Sequence, residues 1–138
     1  MNVLPYLYFD GRTNEALDFY KSAIGAKVEA VMQFKDAPPD VQAQMPSASK
    51  DKVMHAAFHV GDTQIMATDG NCSGKAGFSG ISLTINAADN AEAEKLFAAL
   101  GNGGQVTMPM SETFFADRFG MVADKFGVPW MVIAPKEM

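Results

Sequence analysis

The chain of 138 residues has one cysteine (Cys72), one tryptophan, two histidines and no run of basic residues. A single thiol excludes an intrachain disulfide. Sixteen acidic against eleven basic residues leave a net charge of −5, and without a basic patch such a chain lacks what nucleic acid and anionic membrane surfaces require. Neutral or cationic small molecules are the partners that fit. No apolar run approaches the ~20 residues of a membrane span. Met1 leads into a strand-like segment rather than a basic and then apolar leader, so a cytoplasmic location is expected. What the chain does have is apolar mass: 48% hydrophobic residues, enough for a core in one domain or in two fused small modules.

Residues 3–9 (VLPYLYF) predict a strand closed by Asp10-Gly11, and residues 13–24 switch to helical spacing, with Thr13 or Asn14 as cap and Gly25 as stop. Residues 27–34 form a second strand. Residues 36–51, with three prolines, read as a long loop able to cover a cleft. Residues 53–60 and 63–69 make a hairpin around Gly61-Asp62, with Val60 opposite Thr63, Phe58 opposite Ile65 and Ala56 opposite Ala67 on an apolar side. His59 opposite Gln64 and His55 opposite Thr68 lie on the mixed side. Residues 80–86 alternate, with Ile81, Leu83 and Ile85 inward and Ser82, Thr84 and Asn86 outward. A helix over 91–100, capped by Asp89 or Asn90, ends in the glycines at 101–104 and leads to a strand over 105–110.

The closing stretch, residues 111–135, predicts two apolar strands around the turn Asp124-Lys125-Phe126-Gly127, with Val122-Ala123 facing Val128-Pro129. Pro129 cannot donate to a ladder, which implies an edge or a locally unpaired site. Trp130 falls on the side of the helices. The order strand, helix, three strands occurs twice. The expected fold is therefore α+β: a single domain of two βαβββ modules, about residues 1–70 and 78–138, with the helices on one side of a curved mixed sheet and a cleft on the other.

Three segments, PYLYFDG followed by EALDFY, HAAFHVGD, and ETFFADRFGMVADKFGVPW, resemble the PhnB-like (3-demethylubiquinone 3-methyltransferase-like) branch of the glyoxalase/bleomycin-resistance, or vicinal oxygen chelate, superfamily. That resemblance implies a sheet cup for a small ligand and a homodimer. It also implies a divalent metal in the metalloenzyme members, whose ligand positions fall here on Pro5 (or Leu4), Ala57, Gly80 and Met131. None supplies a hard or borderline donor. No metal and no other cofactor is expected.

Tyr6, Tyr8, His55, His59, Ser82, Thr84, Phe114 and Met131 are the candidate ligand contacts, being aromatic, hydroxyl or thioether groups on the predicted cup side or beside it. His55 and Glu112 are the candidate catalytic groups: an imidazole titrates near neutrality, and a carboxylate beside Phe114-Phe115 can act as acid or base. The bland alternatives are a packed histidine, and a solvated loop in which Glu112, Asp117 and Arg118 form local ion pairs. Cys72, near Lys75, reads as an incidental thiol. GNCSGK at 70–75 lacks the spacing and the hydroxyl of a phosphate loop, and the glycines at 101–104 follow a helix, so no nucleotide or S-adenosylmethionine fingerprint is present. Three functions fit these residues. One is a small-molecule binder, another a metal-independent lyase or isomerase using His55, and the third a resistance protein that sequesters a drug.

Overall fold

A computed structural model describes residues 1–42, 51–70 and 77–136. The chain divides into two compact units, Met1–Ala76 and Gly77–Met138. The first holds β1 (Tyr6–Tyr8), α1 (Thr13–Ile24), β2 (Lys27–Gln33), the short α2 (Pro39–Gln42), β3 (Val53–Val60) and β4 (Thr63–Thr68). The second holds β5 (Leu83–Asn86), α3 (Asn90–Gly101), β6 (Gln105–Ser111), β7 (Ala116–Ala123) and β8 (Pro129–Pro135). Each unit forms a mixed four-stranded sheet, in the orders β1-β4-β3-β2 and β5-β8-β7-β6. This is the α+β fold of two βαβββ modules that the alternation predicts.

In the first module, α1 buries Ala16, Leu17 and Tyr20, and the Tyr20 ring stacks on Phe58 at 5.9 Å between centroids. Ala56, Phe58, Ile65 and Ala67 are buried in the register read from the sequence, and Leu7 and Phe9 join them. The hairpin ladder begins at Ala56, so His55 has no ladder partner on β4. Instead the Thr68 hydroxyl donates to the carbonyls of Val53 and Met54.

The start of α1 departs from expectation. Neither Thr13 nor Asn14 caps it; Arg12 occupies the cap and its side chain makes no capping bond. The work is done by Asp69, 2% exposed, from the end of β4. Its Oδ1 accepts from Gly11 N (3.0 Å), Thr13 N (2.9 Å) and Thr13 Oγ1 (2.6 Å), and its Oδ2 from Val53 N (2.7 Å). A carboxylate at a helix N-terminus also opposes the positive end of the helix dipole. Gly25 stops the helix in the left-handed conformation, as expected.

In the second module Asp89 caps α3 by accepting from Glu92 N at 2.7 Å. The Asp124 to Gly127 turn forms as predicted, Gly127 N donating to Asp124 O. The facing register is shifted by one: Ala123 opposes Pro129, but Val122 opposes Trp130. Buried Asp124 organises the hairpin, accepting at Oδ1 from Phe126 N and Val128 N and at Oδ2 from Trp130 Nε1 at 2.9 Å. Replacing Trp130 with Phe removes one bond to that buried oxygen. It should cost about 1–3 kcal/mol, measurable as a lower denaturant midpoint with an unchanged slope.

Pro129 is not on an edge strand, because β8 is central, but it is the first residue of β8 and pairs only with β7. The β5 ladder begins at Leu83 opposite Trp130. This corrects the predicted strand at 80–86. With no N–H available from Pro129, the parallel ladder stops there, and Ile81 is 58% exposed rather than packed against the helix. Leu83 and Ile85 keep the helix side, opposite Trp130 and Val132, half-buried. The first strand is likewise cut to three residues after Pro5, leaving Val3 exposed. The loop predicted over 36–51 begins with a 3-10 turn at Phe34–Asp36 followed by α2. Its residues 43–50, like Cys72 and Lys75, lie outside the described residues.

Candidate functional site

Strand alternation decides which side chains reach the helix-free face of each sheet. In β1, Leu7 is buried beneath α1, so Tyr6 and Tyr8 project outward, 39% and 60% exposed. In β3, buried Ala56 and Phe58 leave His55, Ala57 and His59 on the open face. These side chains meet: Tyr6 Oη lies 3.0 Å from His55 Nδ1, and the Tyr6 ring sits 5.6 Å from Tyr8 and 5.7 Å from His55. Burial first, and Tyr8 second, push the Tyr6 phenol above its ordinary pKa. Tyr6 therefore stays a neutral O–H well above physiological pH, able to donate to or accept from His55.

His55 and His59 do not form a bidentate metal pair. Four residues of strand separate their Cα atoms by about 13 Å, and side chains standing off a sheet do not converge over that span. The second histidine has its own partner. β2 carries a bulge: Val28 opposes Phe58 and Ala30 opposes Ala57, so Glu29 is the extra residue. Its carboxylate pairs with His59 Nδ1. The sequence reading missed Glu29, and its only signal was a charge inside the alternating strand KVEAVMQ.

On the second module, Thr84 opposes Met131, which opposes Met121, which opposes Met108. The hydroxyls of Ser82 and Thr84 donate to Met131 Sδ at 3.3 and 3.9 Å. The predicted contacts thus fall into two groups, Tyr6, Tyr8, His55 and His59 on one module and Ser82, Thr84 and Met131 on the other. Phe114 stands apart at 93% exposed, edge-on to Phe115, which in turn meets Phe119. Glu112 is exposed and pairs with Lys136, so no apolar wall surrounds its carboxylate. Arg118 lies on the helix side, where it binds Glu94 of α3.

The donor set does not suit the divalent metal of the resembling metalloenzymes. At the expected positions, Ala57 presents a methyl group, Pro5 and Gly80 present no donor side chain, and Met131 presents a soft sulfur already bonded to two hydroxyls. Among the described residues, no three His, Cys, Asp or Glu side chains cluster as a metal site.

The family described as 3-demethylubiquinone-9 3-methyltransferase matches residues 1–133. Protein YjdN of Escherichia coli is 34% identical over 143 aligned positions, covering 99% of this chain and 97% of that protein. Protein PA1353 from Pseudomonas aeruginosa, a crystal structure, is 40% identical with a TM-score of 0.85, covering 99% of each chain. The PhnB protein from Bacillus cereus, at 23% identity over 97% of this chain and 99% of its own, shares the fold with a TM-score of 0.79. No helix among the described residues is long and apolar enough to cross a membrane.

Proposed function

The chain belongs to the 3-demethylubiquinone-9 3-methyltransferase family and has the fold of the glyoxalase/bleomycin-resistance superfamily, and on that basis we propose that it is a PhnB-like protein that binds a small organic ligand against its open sheet faces without the usual divalent metal. The observation that carries this reading is the cluster of Tyr6, Tyr8 and His55, in which the exposed Tyr6 ring lies between Tyr8 and the imidazole to which it is hydrogen-bonded. Aromatic faces with a few fixed polar groups suit a small molecule rather than a polymer. Ser82, Thr84 and Met131 supply the corresponding polar and polarisable surface on the second module. The family's methyltransferase name has no counterpart in the sequence, which carries no S-adenosylmethionine fingerprint.

A thermal-shift screen of small organic molecules tests the reading. A true ligand at a hundred times its Kd adds about 2.7 kcal/mol to native stability. His55→Ala should weaken the best hit at least tenfold while leaving the unliganded melting temperature within a few degrees. Full affinity in His55→Ala, with the ligand mapped away from the open faces, rejects the site.

The 3.0 Å contact between Tyr6 Oη and His55 Nδ1 favours one second reading, a metal-independent enzyme in which this pair moves a proton of the ligand. We also propose a homodimer. The edge strands β2 and β6 leave Val31, Met32, Val106 and Met108 more than 40% exposed, and edges of that kind call for cover.

A further inference from the structure

The open face of the first module carries a second polar group that the Tyr6–His55 pair does not use. His59 is the cross-strand neighbour of Lys27 on β2 and of Gln64 on β4, and the bulged Glu29 reaches its Nδ1. An ionised carboxylate only accepts hydrogen bonds, so a neutral His59 places its one proton on Nδ1 and keeps its lone pair on Nε2. His55 is under no such constraint. Its partner is a phenol, which donates or accepts equally well, so either tautomer satisfies it.

Three polar groups share this face. Lys27 opposes His59 directly, and Glu29, two residues beyond Lys27 and the extra residue of the bulge, has no ladder partner of its own. Lys27 is the one cation in register with His59. A base of fixed tautomer beside an ammonium is suited to a neutral weak acid, whose conjugate base the ammonium then holds.

We propose that His59, positioned by Glu29, is a base of this protein, and that with Lys27 it binds and deprotonates a hydroxyl of phenol or enol acidity on the ligand. This rests on the open sheet face being the ligand surface. The ligand O–H bond breaks, the proton passes to His59 Nε2, and the electron pair stays on the oxygen facing the Lys27 ammonium. Water or a second donor reprotonates the oxygen on release, so no oxidant or co-reactant is required. The aromatic faces of Tyr6 and Tyr8 belong to the same sheet face and suit the ring that a phenol carries.

Two measurements decide the matter. Nitrogen-15 correlation spectra of the histidines should show His59 as the Nδ1–H tautomer in the unmodified protein and a shift toward Nε2–H in Glu29→Ala, with His55 unmoved. An Nε2–H tautomer in the unmodified protein, or no change in Glu29→Ala, overturns the dyad. The second uses 4-nitrophenol, whose anion is yellow. Bound to the protein, it should ionise at a pH at least one unit lower than in water; Lys27→Ala should remove most of that shift, and His59→Asn all of it. Absence of binding, or a shift that survives both substitutions, overturns the assigned ligand class. The spectra need no ligand, and the thermal-shift screen does not depend on ionisation. Failure of the dyad and failure of the ligand surface are therefore separately visible.

Discussion

Replacing Asp69 with alanine is expected to be among the most damaging single changes in this chain, costing about 4 kcal/mol or more. Its carboxylate accepts from two backbone N–H groups at the start of α1 and its approach, from the Thr13 hydroxyl and from Val53 N, all at 2.6–3.0 Å. Bonds to a charged acceptor are worth about 1.5–3 kcal/mol each, and the buried donors left behind keep their desolvation penalty. The sum is less than four such bonds, because the donors share one group and their losses are not independent. Asp69→Asn separates charge from shape: Oδ1 can still accept, but the amide NH2 would face Val53 N–H, donor against donor. Equilibrium denaturation should therefore rank the proteins unmodified, Asn, Ala. A loss under 1 kcal/mol in the alanine variant would mean that the helix start has another anchor.

The second large effect is expected at Gly104, just before β6. An added Cβ would lie 2.2 Å from the Ala123 carbonyl oxygen and 2.8 Å from the Asp124 carbonyl carbon. Both obstacles are backbone, so no rotamer change relieves them. The β6 entry and the β7–β8 turn must separate, which disturbs the Asp124 bonds to Phe126, Val128 and Trp130. Overpacking against fixed atoms costs about 3 kcal/mol or more, on the order of a 10 °C fall in melting temperature for a domain of this size. Gly25→Ala is the contrast: nothing lies within 4 Å of its added Cβ and only the left-handed φ of 69° is strained, so a loss of about 1 kcal/mol is expected.

Much of this architecture can be read from periodicity. Phe58 opposite Ile65, Ala56 opposite Ala67, and Tyr6 and Tyr8 outward of Leu7 all follow from alternation across short, well-marked turns. The Asp124 turn was legible because its residues are contiguous. What was not legible depends on contacts far along the chain. Asp69 serves a helix start 56 residues away, and nothing near Asp69 or Thr13 in sequence says so. Glu29 shares a face with Lys27 by parity, but its place as the extra residue of a bulge that reaches His59 follows from the register of β2 on β3, and a bulge is a property of the paired strands rather than of either one. Ile81 fails for a related reason: its alternation is sound, but the strand it would join begins with Pro129, which cannot bond to it.

The site residues divide along the same line. Tyr6, His55 and Met131 were placed by strand parity, and the structure adds who touches whom: Tyr6 with His55, Ser82 and Thr84 with Met131. Glu112 and Phe114 are candidates by nearness in sequence to aromatic residues rather than by a place on a strand. They lie at an exposed approach to β7, where parity gives no direction.

The most direct test of the account is a structure of the protein with the best hit of the ligand screen, by crystallography or by amide and methyl chemical-shift mapping. Contacts are expected at Tyr6, Tyr8, His55 and His59, with no perturbation of Ala16, Leu17 or Tyr20 beneath the sheet. A ligand seated on the α1 side, or one whose binding leaves the Tyr6 and His55 signals unmoved, would contradict it.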